Sequence, residues 1–134
     1  MKAIVCLDDN EGMTFAGRRQ SRDRVVCADI LFLTRGKKLF MNAYSRKIFD
    51  ENADNIVVCE DFLAQAGKDD FCFVENCPLA GFENEIEELI IYRWNRDYPV
   101  GTKIDFNYRE LNMVESSEFA GYSHEKITKE IYRK

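Results

Sequence analysis

The side chains best suited to nucleophilic or metal chemistry are five cysteines and a single histidine, His124. The cysteines are Cys6, Cys27, Cys59, Cys72 and Cys77. No two of them have the CxxC spacing of redox or metal sites, and one histidine falls short of the clusters that zinc hydrolases need. A Cys–His nucleophile would depend on His124, which precedes the last predicted strand and is expected to be exposed. We therefore interpret the thiols as buried structural groups and predict no metal site.

Nucleic acid is an unfavourable partner for this chain. The net charge of −5 and a pI near 5.0 would repel a phosphate backbone. The basic runs Arg18-Arg19 and Arg35–Lys38 are flanked by acidic residues, which is typical of solvated surface. The aromatic and basic stretch Tyr92–Arg96 has the composition of some single-strand binding surfaces, but its apolar members fit a strand better. We expect no nucleic-acid partner.

The composition is that of one folded domain in a reducing compartment. The chain has 134 residues, of which 46% are hydrophobic and 32% charged. An odd number of cysteines among apolar neighbours favours free thiols. Met1–Asp8 lacks the long apolar segment of a signal peptide, and no stretch is long enough to span a membrane. We therefore predict a soluble, cytoplasmic, single domain over residues 1–134 with no membrane partner.

The first half of the chain alternates predicted strands and helices. Apolar runs predict strands at 3–7, 38–41, 56–59 and 71–74. Val26, Ile30 and Leu33 recur at helical spacing after Ser21, a possible N-cap, and before Gly36, a possible stop. Shorter helices are predicted at 43–49 and 60–66. Such alternation predicts parallel strands joined by helical crossovers.

The pattern changes after Pro78. Residues 89–94 form a long apolar run, while 111–119 and 126–133 alternate polar and apolar residues. These three segments are predicted to be antiparallel strands that close one edge. The predicted fold class is thus α/β, a twisted mixed sheet with a parallel centre, antiparallel edge strands and helices on both faces.

Several of these segments, in the same serial order, resemble the dihydrofolate reductase family. Ile4–Met13 resembles the family's first strand and the loop after it. Gly36–Met41 resembles its Gly-Lys-Pro-hydrophobic-hydrophobic-Met strand, and Gly101-Thr102 its Gly-Asp-Thr segment. Ser123–Arg133 resembles its last hairpin strand. The resemblance implies a dihydrofolate reductase-like fold in shortened form.

The same resemblance implies that the cofactor site is degenerate. The chain between Met41 and Phe71 is shorter than in the family, which implies loss of a strand and of adenosine-binding surface. The family's glycine pair at the cofactor pyrophosphate aligns with Glu75-Asn76, so a carboxylate stands where phosphate would lie. Its Gly-Arg pair aligns with Asn42-Ala43, and Ser45 alone keeps a hydroxyl there. We therefore expect no cofactor.

The family's catalytic carboxylate aligns with Val26, which offers neither a proton nor a hydrogen bond. Arg18-Arg19-Gln20 replace the Leu-Pro-Trp segment that precedes the catalytic helix. Asp23 and Asp29 lie one helical turn to either side of Val26. Asp29 is the weak candidate for a catalytic proton relay, although a solvated position on the helix surface is the simpler interpretation.

Three hypotheses about function follow. The favoured one is a dihydrofolate reductase-like protein that has lost reductase activity and binds an unidentified small molecule or has a regulatory role. The alternatives are an active reductase that uses Asp29 with a flavin or a truncated nicotinamide cofactor, and a structural protein that forms a homodimer through an exposed sheet edge. The residues that align with the walls of the family's cleft, or that merely fill the core, are Val5, Cys6, Met13, Val26, Ile30, Phe73 and Tyr92.

Overall fold

A computed structural model describes residues 1–15, 18–99 and 101–134. Its elements, in chain order, are β1 (Lys2–Leu7), β2 (Thr14–Phe15), β3 (Arg18–Arg19), α1 (Arg24–Leu33), β4 (Leu39–Met41), α2 (Ala43–Arg46), β5 (Ile56–Val58), α3 (Phe62–Gln65), β6 (Phe71–Phe73), β7 (Glu88–Arg93), a 3₁₀ turn (Tyr108–Glu110), β8 (Asn112–Phe119) and β9 (Ile127–Arg133). In the described residues, no helix is long and apolar enough to cross a membrane.

One seven-stranded sheet has the order β5-β4-β6-β1-β7-β9-β8. β1 lies at its centre, where Ile4 pairs in parallel register with Phe73 of β6 and with Ile90 of β7. β4 continues the parallel part between β6 and β5. β9 runs antiparallel to both β7 and β8. The predicted sheet, with its parallel centre and antiparallel edge, is confirmed.

The direction of β7 differs from the prediction, because β7 runs parallel to β1 and is antiparallel only to β9. Its first five residues are buried, as expected for a strand covered on both faces. The segment 74–87, which connects β6 to β7, contains turns and no α-helix. The segment before β7 therefore lacks the helical pattern that would predict a parallel crossover, although β7 lies beside β1 in the middle of the sheet.

The core lies in two layers because the side chains of β1 alternate between the two faces of the sheet. Ala3, Val5 and Leu7 pack in one apolar cluster, together with Phe62 of α3. Ile4 packs in the other cluster, which includes Val26 and Ile30 of α1. Burial of each large aliphatic side chain contributes roughly 1.5–3 kcal/mol. Helices therefore cover both faces, as predicted.

Helix α1 begins two residues later than a Ser21 N-cap would imply. Asp23 is the N-cap, with an extended backbone, and its carboxylate accepts a hydrogen bond from the Val25 N–H at 2.9 Å. The helix ends at Leu33, and Gly36 has a φ of +78°, which glycine adopts without strain. Ser21 is therefore free of the capping role that its position suggested.

Candidate functional site

A narrow cleft opens between α1 and the carboxyl ends of the central strands. Carboxyl ends of neighbouring parallel strands gather at one edge of a sheet, which is where open α/β sheets place their ligand sites. Cys6 of β1, Phe73 of β6 and Trp94 after β7 line the cleft on the sheet side. Val26, Cys27 and Ile30 line it on the helix side.

The structure brings together five of the seven residues predicted from the resemblance. Those that line the cleft are Cys6, Met13, Val26, Ile30 and Phe73. Val5 is fully buried in the layer on the other face of the sheet. Tyr92 is also fully buried, and its hydroxyl donates to a carboxylate of α1 rather than facing the cleft. These two residues are core side chains.

The carboxylate that receives this hydrogen bond belongs to Asp29. The Tyr92 hydroxyl lies 2.6 Å from Asp29 Oδ2, and Lys129 Nζ of β9 lies 2.9 Å from the same oxygen. Burial, followed by this hydrogen bond and the carboxylate charge, raises the pKa of Tyr92. Asp29 is thus bound to β7 and β9 and is not among the side chains that line the cleft.

A bidentate ion pair joins the two sides of the cleft. Arg19 Nε and Nη2 lie 2.6 and 2.9 Å from the two carboxylate oxygens of Glu75. This hydrogen-bonded pairing raises the pKa of Arg19. Ser45 Oγ donates to Glu75 at 2.8 Å, and the carbonyl of Tyr44 accepts a further hydrogen bond from Arg19 at 3.1 Å. Arg19 therefore connects the segment before α1 to α2 and to the residues that follow β6.

The loops after β4 and β6 are also joined. Asn42 caps α2 by accepting from the Ser45 N–H at 3.0 Å, and its amide donates to Asn76 at 3.0 Å. The resemblance aligns Asn42 and Asn76 with two segments that contact the cofactor phosphates in the family. In the structure, these two side chains bind each other.

A hydrogen-bonded chain of Ser21, His124 and Asp23 lies at the mouth of the cleft. His124 Nε2 is 2.9 Å from Ser21 Oγ, and His124 Nδ1 is 2.9 Å from Asp23 Oδ2. The prediction that His124 would be exposed is wrong, because only 4% of it is accessible and its ring stacks on Trp94. The turn before β9 folds over the start of α1 and so buries the imidazole.

The Asp23 carboxylate is the fixed end of this chain. It accepts hydrogen bonds from the backbone N–H groups of Tyr122 and Ser123 at 2.9 and 2.8 Å, besides its contacts with Val25 and His124. Burial raises the pKa of Asp23, but these hydrogen bonds outweigh it, and the pKa lies well below its ordinary value. Asp23 is therefore an ionised acceptor at neutral pH.

The sequence did not indicate this hydrogen-bonded chain because His124 is far from Ser21 and Asp23 in the sequence. His124 and Asp23 are separated by 101 positions. The one available signal was that the only histidine of the sequence follows a serine in a polar turn. Neither its burial nor its partners could be inferred from that signal.

The enclosed space of the cleft is small, about 20 Å³, which is room for about one water molecule. Gln20 faces it, and its Nε2 donates to Asp8 at 3.0 Å. Among the described residues, no donor contacts the buried Oε1 of Gln20. A buried acceptor without a partner is costly, so a donor that reached this oxygen would stabilise the structure.

The two cysteines of the cleft are poor nucleophiles. Burial raises the pKa of Cys6, and it raises the pKa of Cys27 to about 11. Both thiols are therefore protonated at neutral pH, whereas the thiolate is the reactive form. Within residues 1–15, 18–99 and 101–134, no three His, Cys, Asp or Glu side chains are placed to hold a metal ion.

Comparison with known structures identifies the fold. The chain is similar to a dihydrofolate reductase from Enterococcus faecalis complexed with NADP(H) and RAB-propyl, with a TM-score of 0.68 and 12% sequence identity. The match covers 98% of this chain and 94% of that one. The chain therefore has a dihydrofolate reductase-like fold. No protein-family model matches the sequence, and no curated protein does so either.

Proposed function

We propose that this protein is a dihydrofolate reductase-like small-molecule-binding protein without reductase activity. The observation that carries the proposal is the bidentate contact of Arg19 with Glu75. Glu75 occupies the position that resembles the family's glycine pair, where the backbone approaches the cofactor pyrophosphate. Here that position holds a carboxylate, and the arginine that could attract a phosphate is already paired.

The electrostatics of this pair disfavour a dinucleotide. A pyrophosphate beside Glu75 would meet like charge, and it would have to displace Arg19 from two short charge-assisted hydrogen bonds. Hydrogen bonds to charged groups contribute about 1.5–3 kcal/mol each. The loss of two such contacts, without a replacement for Glu75, opposes binding of NADPH.

The residues that line the cleft, although not its present volume, are typical of a small-molecule site. Its walls are apolar, with Val26, Ile30 and Phe73 among them, and it carries polar groups at one end. Arg22 lines that end and forms no ion pair within the described part of the chain. Since the enclosed space is about 20 Å³, a ligand larger than water must widen the cleft or bind at its mouth. We infer that the ligand is small, with an apolar body and a carbonyl or carboxylate group.

Titration with benzoate tests the binding part of the proposal. Trp94 is the only tryptophan of the chain and lines the cleft, so its fluorescence reports on occupancy. We expect a saturable change in the wild type and its loss in Val26→Phe, which fills the cleft. Val58→Phe is the matched control because Val58 is 45% exposed on β5. No saturable change in the wild type, or an equal change in Val26→Phe, would contradict the proposal.

A second candidate is a homodimer that forms through a sheet edge. β8 is an edge strand of eight residues, and its Met113 and Val114 are 54% and 49% exposed. Long exposed edges with apolar side chains pair readily with another chain. Sedimentation should give a dimer that Val114→Lys converts to a monomer. A wild-type monomer at high concentration would exclude this candidate.

A further inference from the structure

We propose that Ser21, His124 and Asp23 form a nucleophilic site that hydrolyses small carboxylic esters at the mouth of the cleft. The inference rests on the proposed function in one respect, because the ester must enter the same cleft as the proposed ligand. Its basis is the pair of 2.9 Å contacts that link the serine hydroxyl, the imidazole and the buried carboxylate.

The direction of the hydrogen bonds follows from the ionised carboxylate. Asp23 can only accept, so His124 Nδ1 must donate to it. In the neutral imidazole, Nε2 then has no proton and accepts the hydroxyl hydrogen of Ser21. Tyr98 Oη lies 2.7 Å from Ser21 Oγ. Because the Ser21 hydrogen goes to His124, the Tyr98 hydroxyl donates to Ser21. The His124 imidazole, in the tautomer that can accept a proton at Nε2, is thus at hydrogen-bond distance from the Ser21 hydroxyl.

The base is held rigidly. Asp23 is fixed by three backbone N–H groups and by its position as N-cap of α1. The imidazole of His124 stacks on Trp94 with ring centroids 4.5 Å apart and an interplanar angle of 21°. Side chains whose rotamers are locked by packing and by a second layer of hydrogen bonds hold reacting atoms in place. Ser21 lines the cleft and, unlike Asp23 and His124, is partly exposed.

A purely structural role accounts for Asp23 and His124 but not for Ser21. The carboxylate and the imidazole already connect the turn before β9 to α1 without the serine. Among the described residues, Ser21 Oγ contacts only His124 and Tyr98, and it caps no backbone group. It is the cleft-facing end of the chain, where a nucleophile would have to be.

One cationic side chain near Ser21 favours negative charge on a substrate carbonyl. Arg22 lines the cleft next to Ser21, and a positive group stabilises an oxyanion as it develops. The N-terminal end of α1 is already capped by the Asp23 carboxylate and is not available for this role. The apolar walls suit a small acyl group, which must widen the cleft because the enclosed space is about 20 Å³.

The proposed reaction needs only the ester and water. Ser21 Oγ bonds to the ester carbonyl carbon while its proton passes to His124 Nε2. The carbon–oxygen bond to the alcohol then breaks, and the leaving alkoxide takes the proton from Nε2, which leaves an acyl-serine. Water attacks this acyl group and gives a proton to His124. The bond to Oγ breaks, Ser21 regains the proton, and the carboxylic acid is released.

Reaction with diisopropyl fluorophosphate tests the nucleophile directly. Serine attack on phosphorus releases fluoride and leaves a stable phosphoryl-serine, which peptide mass spectrometry locates. We expect the label on Ser21 in the wild type and none at that position in Ser21→Ala. Ser117→Ala, a change at an exposed serine of β8, should be labelled like the wild type. A folded wild-type protein with no label on Ser21 would overturn the inference.

Turnover of phenyl acetate provides the second readout. Ser21→Ala should lower the rate by about 10²–10⁴-fold. Asp23 acts through His124 as a positioning residue, so a folded Asp23→Asn should lower kcat by a similar factor with little change in KM. Equal turnover by wild type and Ser21→Ala would overturn the inference.

The benzoate titration separates the two proposals. Binding of benzoate without labelling of Ser21 leaves the proposed function standing and overturns the inference. Labelling of Ser21 without benzoate binding supports the nucleophile and contradicts the reversible-binding proposal.

Discussion

The imidazole of His124 lies flat against the indole of Trp94, with ring centroids 4.5 Å apart and planes inclined by 21°. Trp94 directly follows β7 at the sheet's centre, and His124 belongs to the turn before β9. Their stack therefore connects the sheet to the turn that covers the start of α1. It places the buried imidazole beside the cleft.

Removal of the imidazole should destabilise the fold. His124→Ala removes the imidazole donor to the buried Asp23 carboxylate and the stack on Trp94. Loss of a hydrogen bond to a charged group costs about 1.5–3 kcal/mol. Urea unfolding should show this decrease, whereas Tyr122→Ala, at a neighbour that is 65% exposed, should change stability far less. Equal effects of the two variants would contradict the structural account of His124.

Stability should fall in acid because of Asp23. The folded-state pKa of Asp23 lies below its ordinary value of 3.8, so the unfolded chain takes up the proton first as pH decreases. The contribution of Asp23 is therefore fully present above that ordinary value and is lost as pH falls below it. Asp23→Asn should reduce the slope of unfolding free energy against pH in this range. Asp54→Asn, at an exposed position, should keep the wild-type slope.

Gly121 should resist substitution because it approaches the same carboxylate. A Cβ at this position would lie 2.7 Å from Asp23 Oδ2 and 3.1 Å from the His124 carbonyl oxygen. Gly121→Ala should cost about 1–3 kcal/mol through the displacement of these groups. Gly67→Ala, whose Cβ would meet only the Asp70 carboxylate at 3.2 Å, is the control. Thermal unfolding of both variants checks the difference.

The thiols should react slowly at neutral pH. Burial raises the pKa of Cys72 to about 12, and Cys72 is fully buried. Native labelling with iodoacetamide should leave Cys72 unmodified and should modify Cys6 and Cys27 slowly. Rapid modification of three or more cysteines in the folded protein would contradict this account.

The parallel part of the sheet can be predicted from the sequence because β1, β4, β5 and β6 are short apolar runs separated by turn residues. The apolar period predicts α1, but the sequence does not show which residue is its N-cap. Ser21 and Asp23 are both favourable N-caps, and tertiary contacts decide between them. The direction of β7 could not be inferred, because it depends on its partners rather than on its own residues.

The sequence indicates only the apolar lining of the cleft. The resemblance places Met13, Val26, Ile30 and Phe73 at the walls of the family's cleft, and in the structure these four residues line the cleft beside α1. The charged and polar contacts depend on pairs that are distant in sequence, such as Arg19 with Glu75, 56 positions apart. Periodicity and spacing carry no information about such pairs.

A carboxylate introduced at Val26 should not create a reductase. Val26→Asp would place a carboxylate in the cleft but would leave the Arg19–Glu75 pair, which we propose to occupy the place of a cofactor pyrophosphate. We expect no turnover of dihydrofolate with NADPH in a spectrophotometric assay. Measurable turnover by this single variant would mean that a cofactor site is intact.

Calorimetric titration of NADPH into the wild-type protein tests the central claim most directly. Glu75 is paired with Arg19, and we propose that this carboxylate stands where a cofactor pyrophosphate would lie. We predict no saturable heat at micromolar to millimolar NADPH, since binding would place like charge beside Glu75 and break the ion pair. Saturable binding in the micromolar range would contradict this account and would favour a working reductase.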